Sequence, residues 1–170
     1  RFPARFQLVA AMNPCPCGFL GDPSGRCRCS QEQIQRYRSK LSGPLLDRID
    51  LHITVAREAT ALHVATDSHS HNGPDTATCA LQVARARQQQ LQRQGCANAF
   101  LDLAGLRQHC ALSTADQTWL ENACERLALS LRAAHRVLKV ARTLADLESA
   151  PDINRQQLAE ALQYRDHPQG

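Results

Sequence analysis

The sequence predicts a mainly α-helical chain with a small α/β part at its N-terminal end. A short apolar run, Leu8–Met12, stops abruptly at Asn13, and a second apolar run spans Leu51–Val55, which is typical of two buried strands. Periodicity alone does not distinguish the first run from a buried helix. From Thr76 onward, apolar residues recur at helical spacing. At 170 residues, the chain has room for one ordinary domain or two small ones.

Composition narrows the class of protein. The formal charge is +4, and residues 1–55 hold eight Lys and Arg against four acidic residues, so the basic excess lies in the first third. The sequence has no run of about 18 apolar residues and opens without a signal peptide, so we expect no membrane span. Four of the eight cysteines are scattered through helical patterns as small apolar residues. This usage favours a reducing, cytoplasmic setting.

Short polar signals predict where the elements begin and end. Ser30 and Gln33 form a capping-box pattern before a helix that ends at Ser42-Gly43-Pro44. Residues 57–74 have few apolar anchors and are predicted as a linker. From residue 75 we expect four or five helices joined by short loops into a small bundle. The predicted signals are a long helix with apolar Ala80, Val83, Ala84 and Leu91 that ends near Gly95, a short Leu103–Cys110 piece, and helices capped by Ser113, Ser130 and Asn154.

Four cysteines stand close together after the first apolar run: Cys15, Cys17, Cys27 and Cys29. Four thiols within fifteen residues, separated by a Gly- and Pro-rich loop, can close tetrahedrally around Zn²⁺. Such a site has no open coordination position, so its role is structural. The single-residue spacing differs from the commoner C-x2-C knuckle. The alternatives are four reduced thiols on a surface loop or a labile disulfide.

Two further residues stand where a nucleotide site needs them. A strand-end Asn13 can hold an attacking water, and Arg48, just before the second run, can neutralise charge on a γ-phosphate. The alternatives are a turn cap for Asn13 and an ion pair of Arg48 with Asp47 or Asp50.

The helix capped by Ser130 carries an arginine just inside its N-terminus, Arg132, and another one turn later, Arg136. A helix N-terminus with a nearby cation favours phosphate. Two surface arginines on an amphipathic helix are the alternative. Residues 26–40 also carry a local charge of +4, which suits contact with DNA phosphates or a solvated helix face.

Three stretches carry a resemblance to a known family: LVAAMNPCPCG, SGPLLDRIDLHI and LSLRAAHRVLKVARTLADL. They resemble the C-terminal part of the magnesium-chelatase-like AAA+ ATPases, in particular the competence-associated ComM/YifB branch. The resemblance implies the last two strands of an AAA+ P-loop core followed by an α-helical lid. The implied divisions are a core part with the Cys-rich loop at 1–56, a linker at 57–74 and the lid at 75–170.

The resemblance also implies activity and roles. It implies a ring, hexameric in this family, that uses ATP and Mg²⁺ to remodel DNA, as in branch migration during recombination and natural transformation. Asn13 matches the sensor 1 position, Arg48 the arginine finger, and Arg132 sensor 2, with Arg136 as the competing candidate. The sequence contains no Walker A pattern or Walker B strand, so we expect the chain to be a C-terminal fragment that is inactive alone.

Two other functions remain open. One is a magnesium-chelatase ATPase subunit that drives metal insertion into a porphyrin. The cysteines after Asn13-Pro14 argue against it, because the chelatase pattern continues there with acidic residues. The other is a zinc-containing module that binds nucleic acid, which would leave the Asn13, Arg48 and Arg132 matches unexplained.

The resemblance places a Walker A strand between the two apolar runs, and the sequence does not contain it. Unpaired edges of buried strands seek partners. We therefore expect residues 75–166 to be compact, and the first 55 residues to pair irregularly, swap between chains or move.

Overall fold

A computed structural model describes residues 6–55 and 73–165 of the chain. Within these residues the structure is helical and contains no strand. None of the described helices is both long and apolar enough to cross a membrane. The elements are α1 (Gln31–Arg38), α2 (Gly43–Leu46), α3 (Thr76–Gln94), a 3₁₀ turn (Asn98–Phe100), α4 (Leu103–His109), α5 (Thr114–Arg126), α6 (Leu131–Leu147) and α7 (Arg155–Gln163).

The chain divides into two compact units, with the division between Arg48 and Ile49. The first unit holds the cysteine-rich loop, α1 and α2, and the second holds α3 to α7. The predicted linker at 57–74 lies outside the described residues except for its last two positions.

Polar caps set the helix boundaries of the second unit. Ser113 and Ser130 each accept a hydrogen bond from a backbone N–H of the first turn that follows, as predicted. Asn154 forms a complete capping box with Gln157 at the start of α7. The long helix α3 ends at Gly95, whose φ of 72° lies in the left-handed region that glycine adopts without strain. The prediction of a small bundle of short-loop helices is thus confirmed.

The core of the second unit is organised around α6, which packs against α3, α4 and α7. Val137, Ala141 and Ala145 lie on one face of α6 and are fully buried. Leu158 of α7 is fully buried in the same cluster. Removing such a leucine side chain from water contributes about 1.5–3 kcal/mol, so this seam stabilises the unit by ordinary apolar burial.

The apolar residues predicted for α3 do not face the core. The structure buries Ala86 and Gln90 instead, and the first half of the helix is exposed. The face of α3 that packs on α6 is polar, because Arg93 reaches the buried carboxylate of Asp146 there. The exposed residues of the predicted stripe are Ala80, Val83, Ala84 and Leu91.

The first unit has much less apolar burial. Among its described residues, the buried hydrophobic side chains are Cys15 and Ile34. Its helix α1 begins at the predicted capping box, in which the Gln33 N–H donates to Ser30 Oγ and the Ser30 N–H donates to the Gln33 side chain. Local hydrogen bonds and the four thiols therefore organise this unit more than a core does.

The two runs predicted as strands form no strand among the described residues, so the predicted α/β part is not seen there. Their side chains are largely exposed, with Val9 at 85% and Val55 at 87%. A strand needs a neighbour that accepts and donates backbone hydrogen bonds, and the described residues supply none. The start of the second run is instead tied to the end of α7, because the His52 N–H donates to the Tyr164 carbonyl at 2.8 Å.

Candidate functional site

The four cysteines predicted to bind metal lie together in the first unit. All four sulfur atoms lie within 4.8 Å of one another. Cys15 Sγ is 3.4 Å from Cys17 Sγ and 3.8 Å from Cys27 Sγ, and the Cys17–Cys27 sulfur distance is 3.6 Å. Each of the four is a free thiol, with Cys15 buried and Cys17 the most exposed. The cluster has the donor set and the spacing of a tetrathiolate metal centre.

Tight turns bring the two cysteine pairs together. The Gly18 N–H donates to the Cys15 carbonyl at 3.0 Å, and Gly18 has a φ of +80°, which a side chain would strain. At the far end of the loop, Asp22 accepts hydrogen bonds from the Ser24 N–H at 2.8 Å and from Arg26 at 3.3 Å. The Arg26 guanidinium also lies over the Phe19 ring at 4.5 Å. The chain therefore doubles back and places the second pair beside the first.

The thiols differ in their readiness to ionise. A hydrogen bond from the Phe19 backbone lowers the pKa of Cys17 to about 6. The pKa of Cys29 is raised to about 12 by the hydrogen bond between the Cys29 and Cys17 side chains. Thiols packed this closely cannot all ionise in the absence of a nearby cation, because each thiolate repels the next.

Asn13 lies against the turn that carries the first cysteine pair. A Cβ placed on Gly18 would be 3.6 Å from Asn13 Nδ2, so the glycine α-carbon faces the amide directly. Asn13 is otherwise exposed. The predicted sensor residue and the cysteine turn therefore form one local structure.

Arg48 lies at the end of the first unit, just after α2. It is exposed, and its guanidinium donates to the Pro44 carbonyl at 2.6 Å. The carboxylate of Asp50, one of the acidic partners considered for Arg48, belongs to the second unit, where it contacts Arg136. The Arg48 side chain is thus held by its own helix and presented at the surface.

In the second unit, Arg132 and Arg136 line one cavity of about 270 Å³ near the N-terminus of α6. The lining of the cavity carries more positive than negative charge, because Arg132, Arg136 and Lys139 stand against one carboxylate, Asp102. Burial lowers the pKa of Lys139, whose ammonium donates to the Ala99 carbonyl at 3.1 Å. Such a cavity suits a phosphate or another polyanion.

The structure separates the two arginines of this cavity. Arg136 forms an ion pair with Asp50, and its side chain is largely buried. Arg132 is exposed and has no hydrogen-bond or ion-pair partner among the residues that the structure describes. Of the two, Arg132 is therefore the one whose charge is available to a ligand.

Sequence reasoning missed His135 and Lys139 as members of the cavity. The signal was present, because Arg132, His135, Arg136 and Lys139 stand at i, i+3, i+4 and i+7 and so share one helix face. The position of the Asn13 amide on the open side of Gly18 was also missed, and no pattern in the sequence indicates it.

Both parts of the chain match one family. Residues 73–165 match the family described as magnesium chelatase, subunit ChlI C-terminal, and residues 1–62 match magnesium chelatase, subunit ChlI. The chain therefore belongs to the magnesium chelatase ChlI family, as its motifs predicted.

Individual relatives indicate the branch of the family to which the chain is most similar. The chain is 45% identical over 165 residues to the uncharacterized protein YifB of Escherichia coli, a match that covers 96% of this chain and 31% of YifB. It is 43% identical over 165 residues to competence protein ComM of Haemophilus influenzae, covering 97% of this chain and 31% of ComM. A Mycobacterium tuberculosis protein, Rv2897c, is 39% identical over 168 residues, covering 96% of this chain and 32% of its own length. The chain thus spans about a third of the length of these curated relatives.

Proposed function

We propose that this chain is the C-terminal part of a ring-forming AAA+ ATPase subunit that uses ATP and Mg²⁺ to remodel DNA. The observation that carries this proposal is the 43% identity to a protein named for competence, which extends over both units of the chain. Competence is the ability of a cell to take up DNA, so DNA is the substrate class that this name favours. The proposed reaction is branch migration during recombination or natural transformation, by a hexamer.

Three residues are proposed to act at the nucleotide. Asn13 orients the attacking water, as a side-chain amide can both donate and accept. Arg48 is the arginine finger, which stabilises charge on the transferred phosphoryl group at a neighbouring subunit's site. Arg132 is sensor 2, and its support is the basic cavity in which it is exposed. The chain alone is proposed to be inactive, because no residue in it matches the Walker A or Walker B pattern.

The proposed DNA contact lies on the first unit. Some of its basic residues form local ion pairs, and others are exposed. Arg26 pairs with Asp22 and Arg36 with Glu32, whereas Arg28 is exposed beside the cysteine cluster. Lys40 is exposed near the Tyr37 ring. Exposed cations in a small unit of this kind are suited to backbone phosphates.

The setting proposed for the protein is the cytoplasm. All eight cysteines are free thiols, including Cys96 and Cys124, which pack against the core of the second unit. Free thiols in such number persist where the surroundings are reducing.

DNA-stimulated ATP hydrolysis by the full-length protein is the test. We expect single-stranded or branched DNA to raise the rate of ATP turnover and protoporphyrin with Mg²⁺ to leave it unchanged. The opposite pattern would overturn the DNA proposal and favour the chelatase alternative. Absence of ATP turnover under both conditions would overturn the ATPase proposal itself.

The same assay separates the proposed finger from a merely structural arginine. Arg48→Ala is expected to reduce ATP turnover by about 10³-fold or more while leaving nucleotide affinity nearly unchanged. Arg87→Ala, which removes an exposed arginine from α3, is the matched control and should turn over ATP normally. Mixing Arg48→Ala subunits with subunits that carry an inactivated Walker A motif should restore activity at hybrid interfaces. A mixture that stays inactive would contradict the finger role.

A further inference from the structure

We propose that Cys15, Cys17, Cys27 and Cys29 bind one Zn²⁺ as a structural tetrathiolate centre, and that the bound metal holds the Asn13 amide against Gly18. The proposed metal stabilises the fold of the first unit, whether or not the intact protein hydrolyses ATP.

The sulfur distances fit a bound metal and exclude a disulfide. Zinc–sulfur bonds of about 2.3 Å in a tetrahedron place neighbouring sulfurs about 3.8 Å apart. The three distances between Cys15, Cys17 and Cys27 are 3.4, 3.8 and 3.6 Å. A disulfide requires sulfurs about 2.05 Å apart. The cluster is thus too open for a disulfide and closed to nearly the size of a ZnS₄ tetrahedron.

Charge balance also favours the metal. Binding converts four thiols to thiolates and releases four protons to solvent, so the centre carries a net charge of −2 with Zn²⁺ present. Arg28 stands between Cys27 and Cys29 in the chain and is exposed, so it supplies a cation close in sequence to two of the ligands. Four thiolates leave no open position for water or substrate, so the centre is structural and not catalytic.

The first unit needs such a centre. Folded units of about 40 residues or fewer usually depend on disulfides, metals or association, because they bury too little apolar surface. Here the described residues 6–48 bury only two hydrophobic side chains, Cys15 and Ile34, and one of the two is a proposed ligand. Metal binding would therefore supply much of the free energy that folds the loop.

The position of Asn13 depends on the same turn. The Cys15–Gly18 turn is closed by one backbone hydrogen bond, and Gly18 faces the Asn13 amide. When the metal fixes both Cys15 and Cys17, it fixes the surface on which the amide lies. Loss of the metal should release that surface and the amide with it.

Metal content of the purified 170-residue chain tests the ligand set. Elemental analysis should find about one zinc per chain, and the Co²⁺-substituted chain should show the charge-transfer and d–d bands of a tetrahedral tetrathiolate site. The double variant Cys27→Ser, Cys29→Ser should lose the metal. Cys29→His should retain it with shifted Co²⁺ bands, and Cys79→Ser, at an exposed cysteine of α3, should behave as the wild type.

Side-chain amide resonances test the second half of the inference. Removing zinc with a chelator should shift the ¹⁵N–¹H pair of Asn13, identified by its loss in Asn13→Ala. The pair of Asn98 should not move, because Asn98 is buried in the second unit and donates to Thr143 and Asp146 at 3.0 and 2.8 Å. An Asn13 pair that ignores zinc would overturn the link to the amide. A chain purified in zinc-containing buffer with essentially no bound metal would overturn the centre itself.

Discussion

Different interactions stabilise each of the two units of this chain. The second unit has a continuous apolar cluster of twelve buried residues, among them Val137, Ala141 and Leu158. The first unit buries Ile34 and one proposed metal ligand, and its loop is closed by hydrogen bonds, an ion pair and four thiols. Both units contain helices with polar caps. A capped helix this short is marginal alone, so we expect it to fold only where an apolar core or a bound ligand also stabilises it.

Metal removal should have the largest effect on this contrast. Chelation of zinc from the 170-residue chain is expected to bring amide exchange in α1 to the rate of an unfolded peptide, because local caps cannot hold eight residues in a helix alone. Exchange in α6 and α7 should not change. Amide hydrogen exchange with residue resolution is the measurement.

The same measurement examines the second apolar run. The sequence predicts that the first 55 residues pair irregularly or move, which would give fast exchange throughout Leu51–Val55. The hydrogen bond from the His52 N–H to the Tyr164 carbonyl instead predicts slower exchange at His52 than at Ile53. Equal protection of α1 and α6 after chelation would contradict the difference between the units, since it would show a first unit that is stable without metal.

The second unit has its own exception to apolar packing, a buried carboxylate. Asp146 is 2% exposed and accepts hydrogen bonds from Arg93 at 2.6 and 3.0 Å, from Asn98 at 2.8 Å and from Arg142 at 3.1 Å. Asp146→Ala leaves Arg142, itself 3% exposed, without its carboxylate, and is expected to lower the free energy of unfolding by about 3–5 kcal/mol. Asp152→Ala, at an exposed position nearby, is the matched control. Urea unfolding monitored by helical circular dichroism measures both.

The same carboxylate sets a pH dependence. Burial alone would raise the pKa of Asp146, but the hydrogen bonds from Arg93 and Asn98 and the charge of Arg142 outweigh it and hold the pKa below its usual value. A carboxyl whose folded pKa is depressed contributes stability that is present above about pH 4 and is lost as the pH falls through the folded pKa. Wild type should therefore lose stability below about pH 4 more steeply than Asp146→Ala. Parallel pH curves for the two proteins would contradict this role of Asp146.

The sequence predicted helix boundaries well and helix faces less well. Caps are local, so Ser113, Ser130 and Asn154 could be identified without knowledge of the fold. The buried face of α3 could not, because its partner is the charged Asp146, and apolar periodicity alone points to the wrong side.

The candidate sites divide in the same way. The four cysteines are close in sequence, and local turns bring them together, so spacing sufficed to predict the cluster. The ion pair of Arg136 with Asp50 joins residues 86 positions apart and depends on how the second unit folds. The strand prediction failed among the described residues because a strand is defined by its neighbour, which an apolar run does not specify.

The smallest expected effect is the loss of stability on removing a helix cap, and each unit has one capping box in which to measure it. Asn154→Ala should lower the stability of the second unit by about 1 kcal/mol, and Asn154→Gly by only a few tenths, because glycine also tolerates the cap conformation. Ser30→Ala removes the equivalent cap of α1, and it should leave the unfolding of the second unit unchanged.

The cost of losing the Ser30 cap should appear instead in metal affinity. If the first unit folds only as it binds zinc, a loss of about 1 kcal/mol in α1 weakens the apparent zinc affinity about fivefold. Competition with a chromophoric chelator measures this ratio, and Ser30→Gly should recover most of the difference. An unchanged affinity in Ser30→Ala would mean that α1 is folded before the metal arrives. In that case local caps would be enough to fold the first unit without a ligand, as the apolar core is enough to fold the second. The two units would then not differ in whether they need a ligand to fold.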